Sequence, residues 1–523
     1  MTDVLDQASS ALDRVTNVLD RATGRVTMYR LIVLCLLALV AASLLLSLFG
    51  ALFYTPVEIL VTGLVAVLAT LGSGRLLGAI FRTPAHTESS VITGLLLLFL
   101  FRPTTDLREL GTVALAGVLA SASKYLIAVR GRHILNPATA GALIVSLLQL
   151  NVSAWWVATG PLLPVTAAGA FLILHRTRRL PLGLVFIGLS AGIITAMLVA
   201  NGAGTAEALA LAFTSYPIVF LGGFMLTEPL TLPPRRWQQF TVAAVVAVLL
   251  SVPFAVGPLF SSPELALVLG NVLAFGFGQR RGIRLRYIGR TPLTPTSWEF
   301  EFQPLRRLSH AAGQYLELTL PHRAADPRGQ RRIFTIASAP GSNVKLGLRM
   351  PERSSSFKRE LLALEPGATI TGTSVGGDFL LPRDSARPLL LVAGGIGITP
   401  FIAQLEHLEA TGDQRDIVLV YTSSGGREIA YAERLQRLAG KSFRVLLIAR
   451  ALPDGTATAA ELPPHWTWLG AGPLTGDMVL DAVPDAGRRD AYVSGAPALV
   501  TALKRALRGA GVRRVKADYF TGY

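Results

Sequence analysis

Apolar positions follow two different periods along this chain, and the change falls near Gln279. Before it, apolar residues run almost unbroken over 31–53, 57–81, 91–101, 109–129, 134–150, 153–175, 181–200, 208–227, 238–260 and 265–278. A bilayer-crossing helix needs about 20 apolar residues, so these runs predict a polytopic α-helical membrane domain of about ten segments. The third and tenth are short, as tilted or re-entrant segments are. After the change, LRYIGR, WEFEF, QYLELTLP, KLGLRM and ATITGTSV alternate apolar and polar residues between Pro and Gly punctuation, which predicts an antiparallel β-barrel. From Pro388 the apolar strands PLLLVAGG, DIVLVYTS, FRVLLIAR and DAYVSGA are interleaved with amphipathic stretches such as TPFIAQLEHLEA and PALVTALKRALRGAG. That pattern predicts an α/β parallel-sheet domain covered on both faces. The expected layout is a polar cytoplasmic segment at 1–29, a transmembrane domain at 30–280, a barrel domain at 283–386 and an α/β domain at 387–523.

Charge refines the picture of the first half. The net charge of +16 does not gather in one stripe, as nucleic-acid binding would require. Instead Arg82, Arg130, Arg132, Arg176, Arg178, Arg179, Arg235, Arg236, Arg280 and Arg281 punctuate the apolar runs, the positive-inside pattern of a multi-pass protein in the inner (cytoplasmic) membrane. With the N-terminus inside, an even number of crossings returns the C-terminal half to the cytoplasm. The loop FRPTTDLRE at 101–109 resists this scheme by placing Arg102 and Arg108 outside. Residues 1–29 lack the apolar core and small-residue cleavage site of a secretory signal. With Cys35 the only cysteine, an intrachain disulfide, a four-cysteine cluster and a CxxCH haem attachment are excluded.

Two motifs carry chemistry in the second half. In RRIFTIAS at 331–338, Arg332, Phe334, Thr335 and Ser338 match the flavin signature of the ferredoxin-NADP reductase superfamily, which this half resembles. The resemblance implies FAD: Arg332 on its diphosphate, Phe334 against the isoalloxazine, and Thr335 near the hydride-accepting nitrogen. Without that resemblance the octapeptide reads as a strand with an arginine at its edge. Ser354, Ser355 and Ser356 stand where the family has a phosphate-binding helix start, although such a run is also a plain N-cap. In LLLVAGGIGITP, Gly394, Gly395, Gly397, Thr399 and Pro400 match the family pattern GGxGxTP in full, implying an NAD(P)H site. VSGAP at 493–497 departs from the family's CGP: Ser494 replaces the cysteine, Gly495 is kept and Ala496 intervenes. The ending DYFTGY makes Phe520 and Tyr523 candidates for the aromatic that covers the flavin, or equally for a core anchor. The resemblance thus assigns Thr335, Ser494 and Tyr523 to the reacting centre. Ser423, Ser424 and Arg427, in the turn after DIVLVYTS, fit a 2′-phosphate and lean towards NADPH over NADH, although such a stretch is also a plain solvated turn.

In the membrane half, GRHILNPATAGALIV at 131–145 and GGFMLTEPLTLPP at 222–234 resemble elements of RnfD and NqrB, the membrane subunits of the Rnf complex and of the Na⁺-translocating NADH:quinone reductase. That likeness implies a membrane flavin such as FMN near Asn136 and Glu228, where Pro137 and Pro229 mark broken helix ends in need of polar partners. It also points to Thr205 for covalent attachment, although ANGAGTAEALA lacks the family's acidic start and SGAT order. Lys124 either snorkels to the surface or faces a flavin phosphate. No metal is expected: His86, His133 and His175 are isolated, whereas a stacked-haem reductase needs four suitably spaced histidines. The expected activity is NAD(P)H oxidation through FAD, with electrons passed into or across the membrane to an extracytoplasmic flavoprotein or a quinone. A haem-containing transmembrane reductase and a nicotinamide-sensing transporter or anchor are the competing readings.

Overall fold

The computed structural model describes residues 26–82, 86–129, 132–257, 259–278, 282–322, 325–326, 329–352, 354–438, 443–449 and 462–520. Most of the polar N-terminal segment, and Tyr523, therefore lie outside the described residues. The chain divides into two compact units, Met1–Arg280 and Arg281–Tyr523.

The first unit is helical. Helices α1 (Met28–Leu48), α2 (Pro56–Ile80) and α7 (Leu180–Ala200) are long and apolar enough to cross a membrane. At 1.5 Å per residue α1 and α7 span about 30 Å, the thickness of the hydrocarbon layer, and α2 about 37 Å. Only 28, 28 and 33% of their apolar stretches is buried, and the exposed side chains include Leu34, Leu37, Leu60, Leu64, Leu68, Leu184 and Leu189. Apolar faces of that extent mark a surface built to meet an apolar surrounding, a lipid layer or another protein. A fourth span is formed if α8 (Thr205–Thr214) and α9 (Ile218–Met225), bent by 53°, are taken as one.

Among the described residues, length and composition thus give three candidate spans, or four, against the ten runs of the sequence. The remainder behave differently. Helix α3 (Thr87–Leu100) has 14 residues and is enclosed by protein, with every residue from Leu95 to Phe101 buried. Helices α5 (Pro137–Leu147) and α11 (Pro263–Phe277) are likewise short. Helix α4 (Leu107–Leu126) carries Arg108, Glu109 and Lys124. An apolar run looks the same whether lipid or protein surrounds it, so length and composition do not establish the ten crossings. Helices α6 (Leu163–Arg176) and α10 (Arg236–Ser251) complete the unit. The awkward loop at 101–106 is pinned at both ends: the Thr62 hydroxyl bonds the N–H and carbonyl of Thr104 at 2.9 and 3.1 Å, and Asp106 caps α4.

The second unit holds two sheets. Strands β1 (Ile283–Thr294), β2 (Ser297–Pro304), β3 (Tyr315–Thr319), β4 (Arg331–Thr335), β5 (Val344–Arg349) and β6 (Thr369–Gly376) pair antiparallel in the order β4-β3-β6-β1-β2-β5. A bridge between Ile336 and Leu346 joins the two outer strands, closing a barrel around Leu285, Tyr287, Phe300, Phe302, Leu316 and Leu346. Helix α12 (Ser356–Leu362) follows β5.

The other sheet is wholly parallel. Its strands β7 (Leu389–Gly394), β8 (Ile417–Ser423), β9 (Phe443–Ala449), β10 (Trp466–Gly470), β11 (Asp490–Gly495) and β12 (Val515–Tyr519) lie in the order β10-β9-β8-β7-β11-β12. Along β7, Leu389, Leu391 and Ala393 enter the core on one face, and Leu390 and Val392 enter the core on the other. Both faces are covered, among others by α13 (Thr399–Thr411), α14 (Ala432–Arg437), α15 (Gly476–Ala482) and α16 (Pro497–Gly509). Strand order reverses beside β7, the edge at which such sheets receive ligands. The segment GGDFLLP joins the two sheets. Phe379 packs against Phe401 and Tyr492, and its carbonyl accepts from Gln404 at 2.6 Å.

Candidate active site

Arg332 sits on β4 opposite Leu318 of β3 and is almost fully buried. Its guanidinium donates to the carbonyls of Gly329 and Arg331 at 3.0 and 2.6 Å and to the Asp326 carboxylate at 3.2 Å, above the Phe357 ring. The other oxygen of Asp326 accepts the backbone N–H of Ser356 at 3.1 Å. A cation and a backbone donor therefore converge on one anion, and that anion belongs to the chain itself. The donor set suits a diphosphate, which would take over from Asp326.

The three serines are less uniform than their run suggests. The Ser354 hydroxyl donates to the carbonyl of Pro351, and Ser355 caps α12 by accepting from the Lys358 N–H. The Ser356 hydroxyl accepts the Asp326 N–H and lies 2.9 Å from Nε2 of buried His322. Only Ser356 shares the anion with Arg332. Phe334 is half-buried with its ring 5.7 Å from that of Phe357, and Thr335 ends β4 opposite Tyr315. Ser338 serves the barrel itself, its hydroxyl accepting the Lys345 N–H at 3.2 Å beside the closing bridge.

The glycines lie at the switch point. Gly394 ends β7, and Gly395 has a φ of +53° with open space above the position of a Cβ. A side chain at Gly397 would meet the Ser494 carbonyl at 2.7 Å and the Gly495 backbone at 2.8 Å, so the turn closes onto the end of β11 only without one. The Thr399 hydroxyl donates to the Ile396 carbonyl, and Pro400 occupies the first turn of α13, where its missing N–H costs nothing. The 13-residue helix continues directly from the short turn Gly395–Ile398, and the Thr399 N–H is donated to the Ile396 carbonyl.

Residues 391–505 match the family model described as the oxidoreductase NAD-binding domain. The C-terminal half therefore contains an NAD-binding domain of the ferredoxin-NADP reductase type. A flavohemoprotein of Pseudomonas putida is 26% identical over 46% of this chain and 59% of its own. Ferredoxin–NADP reductase B of Sorangium cellulosum is 27% identical over 36% of this chain and 78% of its own. The solved structure of the Amycolatopsis cytochrome P450 reductase GcoB is 22% identical, covers 46% of this chain and 70% of that one, and gives a TM-score of 0.39. The chain spans 56–66% of the length of the flavohemoprotein and three further curated relatives.

Within the NAD-binding domain, Ser494 is fully buried and its hydroxyl has no hydrogen-bond partner among the described residues. An orphaned polar atom beside the glycine turn fits a ligand that brings its own polar group. Level with Ser494 on the neighbouring strand is Asp518, a residue the motif reading missed. Burial pushes its carboxyl up to about 6, so it exchanges a proton near neutrality. Its only sequence signal is an acidic residue in the closing period-two strand VKADY. Phe520 follows, its N–H donating to the Gly495 carbonyl at 2.8 Å, which fastens the tail to the same turn. At the end of β8, Ser423 is half-buried and its hydroxyl donates to the carbonyls of Gly425 and Glu428 at 3.1 and 2.8 Å. Arg427 stands exposed.

The membrane-half motif residues meet in part. Asn136 caps α5, donates its backbone N–H to Oδ1 of Asn271 on α11 at 2.7 Å, and donates its amide to Glu228 at 3.0 Å. The other oxygen of Glu228 lies 2.9 Å from Nε2 of His133. The broken helix ends thus find their partners in one another. Thr205 takes no part: it is exposed at the first turn of α8, whereas Glu228 follows the end of α9, at the other end of the bent pair. Lys124 donates to the Ser89 carbonyl and to the hydroxyls of Ser89 and Thr93, between helices α4 and α3.

Proposed function

We propose that this chain is a membrane-bound flavoprotein oxidoreductase that takes hydride from NAD(P)H onto FAD and passes electrons to a redox group within its membrane unit. The observation that carries the reading is the pairing, in one compact unit, of the Arg332–Ser356 anion site of the barrel with the Gly394–Gly397 turn of the NAD-binding domain. FAD, when bound, would accept a hydride and release electrons one at a time, which joins a two-electron donor to one-electron acceptors. Arg332 neutralises the diphosphate, and Phe334 and Thr335 lie on the strand that faces the ring system. Gly395 and Gly397 let the backbone approach the coenzyme, and Ser494 and Asp518 supply a hydroxyl and a proton-exchanging carboxyl beside it. Tyr523 and Phe520 belong to the tail that would cover the flavin.

The membrane part of the reading is supported by the three long apolar helices with exposed apolar faces and by the resemblance to RnfD and NqrB. A hydrocarbon layer of about 30 Å is too wide for one efficient electron transfer, so a carrier inside it is required, and FMN or another flavin is the candidate. The acceptor beyond it is an extracytoplasmic flavoprotein or a quinone, with the reductase unit in the cytoplasm. The test uses full-length protein in detergent: steady NADPH or NADH oxidation with ferricyanide, an absorption spectrum, and mass identification of extracted flavins. Flavin absorption with more than one flavin per chain supports the reading. A Soret band supports the haem alternative, and failure to oxidise either coenzyme supports the sensor alternative. In-gel fluorescence after denaturation that vanishes in Thr205→Ala would establish covalent attachment there.

A further inference from the structure

The turn that follows β8 is stitched to the barrel. Glu428, one residue after the exposed Arg427, does not face the end of its own strand. Its carboxylate accepts from the hydroxyls of Thr294 and Thr296 at 2.9 and 2.7 Å, both in the hairpin joining β1 and β2. Six residues on, Arg434 grips Glu299 of β2 through both guanidinium nitrogens at 2.8 and 2.5 Å. The backbone of Glu428 nevertheless lies at the strand end, since its carbonyl accepts the Ser423 hydroxyl at 2.8 Å.

In a parallel sheet of this kind, the residue at the end of the strand next to the glycine turn meets the adenosine ribose. A carboxylate there hydrogen-bonds the free 2′-hydroxyl of NADH and repels the 2′-phosphate of NADPH, which an arginine accommodates. Glu428 is the only acidic residue between Asp416 and Glu433, so it alone in this stretch can play the first role. Resting on the reductase reading above, we propose that the barrel hairpin sets coenzyme choice. Thr294 and Thr296 act as positioning residues that hold the Glu428 carboxylate out of the ribose site, leaving Arg427 and Ser424 to face a 2′-phosphate. The chain therefore prefers NADPH, and the preference depends on two threonines in the flavin domain rather than on the coenzyme domain alone.

The test compares kcat and KM for NADPH and NADH, with ferricyanide as acceptor, in full-length protein and three variants of matched flavin content and Tm. Wild type favours NADPH. Thr294→Val with Thr296→Val frees the carboxylate and moves the NADPH-to-NADH ratio of kcat/KM towards NADH by about tenfold, the order expected for one charge-assisted contact. The shift lies in KM, with kcat changed less. Thr294→Ser with Thr296→Ser keeps both hydroxyls and the wild-type ratio. Adding Glu428→Gln to the double valine variant removes the repulsion and returns the ratio towards wild type. An unchanged ratio in the double valine variant, or a wild type that favours NADH, overturns the proposal while leaving the reductase reading intact. Oxidation of neither coenzyme overturns both.

Discussion

The two units treat their polar motif residues in opposite ways. In the reductase unit, Arg332 and the Ser356 N–H converge on one anion, and Ser494 keeps a buried hydroxyl without a partner among the described residues, beside the glycine turn. In the helical unit, Asn136, Glu228, His133 and Asn271 satisfy one another. Water fills unmet polar needs at a soluble site until a ligand arrives, whereas a broken helix in an apolar medium must find protein partners at once. A polar motif in a membrane helix is therefore weaker evidence of a ligand than the same residues at the rim of a soluble sheet.

The comparison breaks most visibly at the reductase site. Gly397→Ala forces a methyl group onto the Ser494 carbonyl and should abolish NAD(P)H oxidation, by a hundredfold or more on the scale of a mispositioned reacting centre. Steady-state assays with ferricyanide on FAD-replete protein check this. Arg332→Ala removes a charge-assisted contact worth roughly 1.5–3 kcal/mol and should weaken FAD retention by at least about tenfold, read as the flavin-to-protein ratio after gel filtration. Asn136→Ala should instead cost stability, about 1–3 kcal/mol for a buried network left with unpaired groups, with ferricyanide reduction unchanged. Its check is the Tm of the full chain in detergent. Loss of a flavin from this variant without loss of Tm would reverse the contrast and make the cluster a cofactor site.

Smaller effects sharpen the picture. Asp326→Asn discharges the internal anion that Arg332 and Ser356 now hold, and FAD affinity should rise several-fold in fluorescence titrations of the deflavinated full chain. Asp518, with its carboxyl raised to about 6, stabilises the fold in its protonated form. That contribution is fully present below the ordinary aspartate range near 4 and is lost as pH rises through about 6. Tm measured from pH 4 to 7 should fall over that window in wild type and remain flatter in Asp518→Asn.

The chain's pattern disclosed some of this and hid the rest for physical reasons. Strands β1 to β6 and the alternation through β7, β8, β9 and β11 were legible, because half-buried strands repeat every two residues and fully buried ones form short apolar runs. Strands β10 and β12 are harder to read: WTWLG and VKADY lie at the sheet edges and are only five residues long. The glycine spacing at 394–397 was readable because the turn tolerates no side chain. Asp326, Asp518 and the Thr294–Glu428 contact were not, since each depends on residues that folding alone brings together. Hydropathy does not separate the exposed Leu60 and Leu64 from the enclosed Leu97 and Leu98, and among the described residues the ten runs yield three or four helices of spanning length.

The central claim is that reducing equivalents from NAD(P)H pass beyond FAD to a second redox group in the same chain. An anaerobic titration of full-length, detergent-purified protein with NADPH, referred to chemically measured FAD, tests it most directly. The account predicts uptake of more than two electrons per FAD, with the excess retained after the FAD spectrum is fully bleached. Saturation at two electrons per FAD would contradict it.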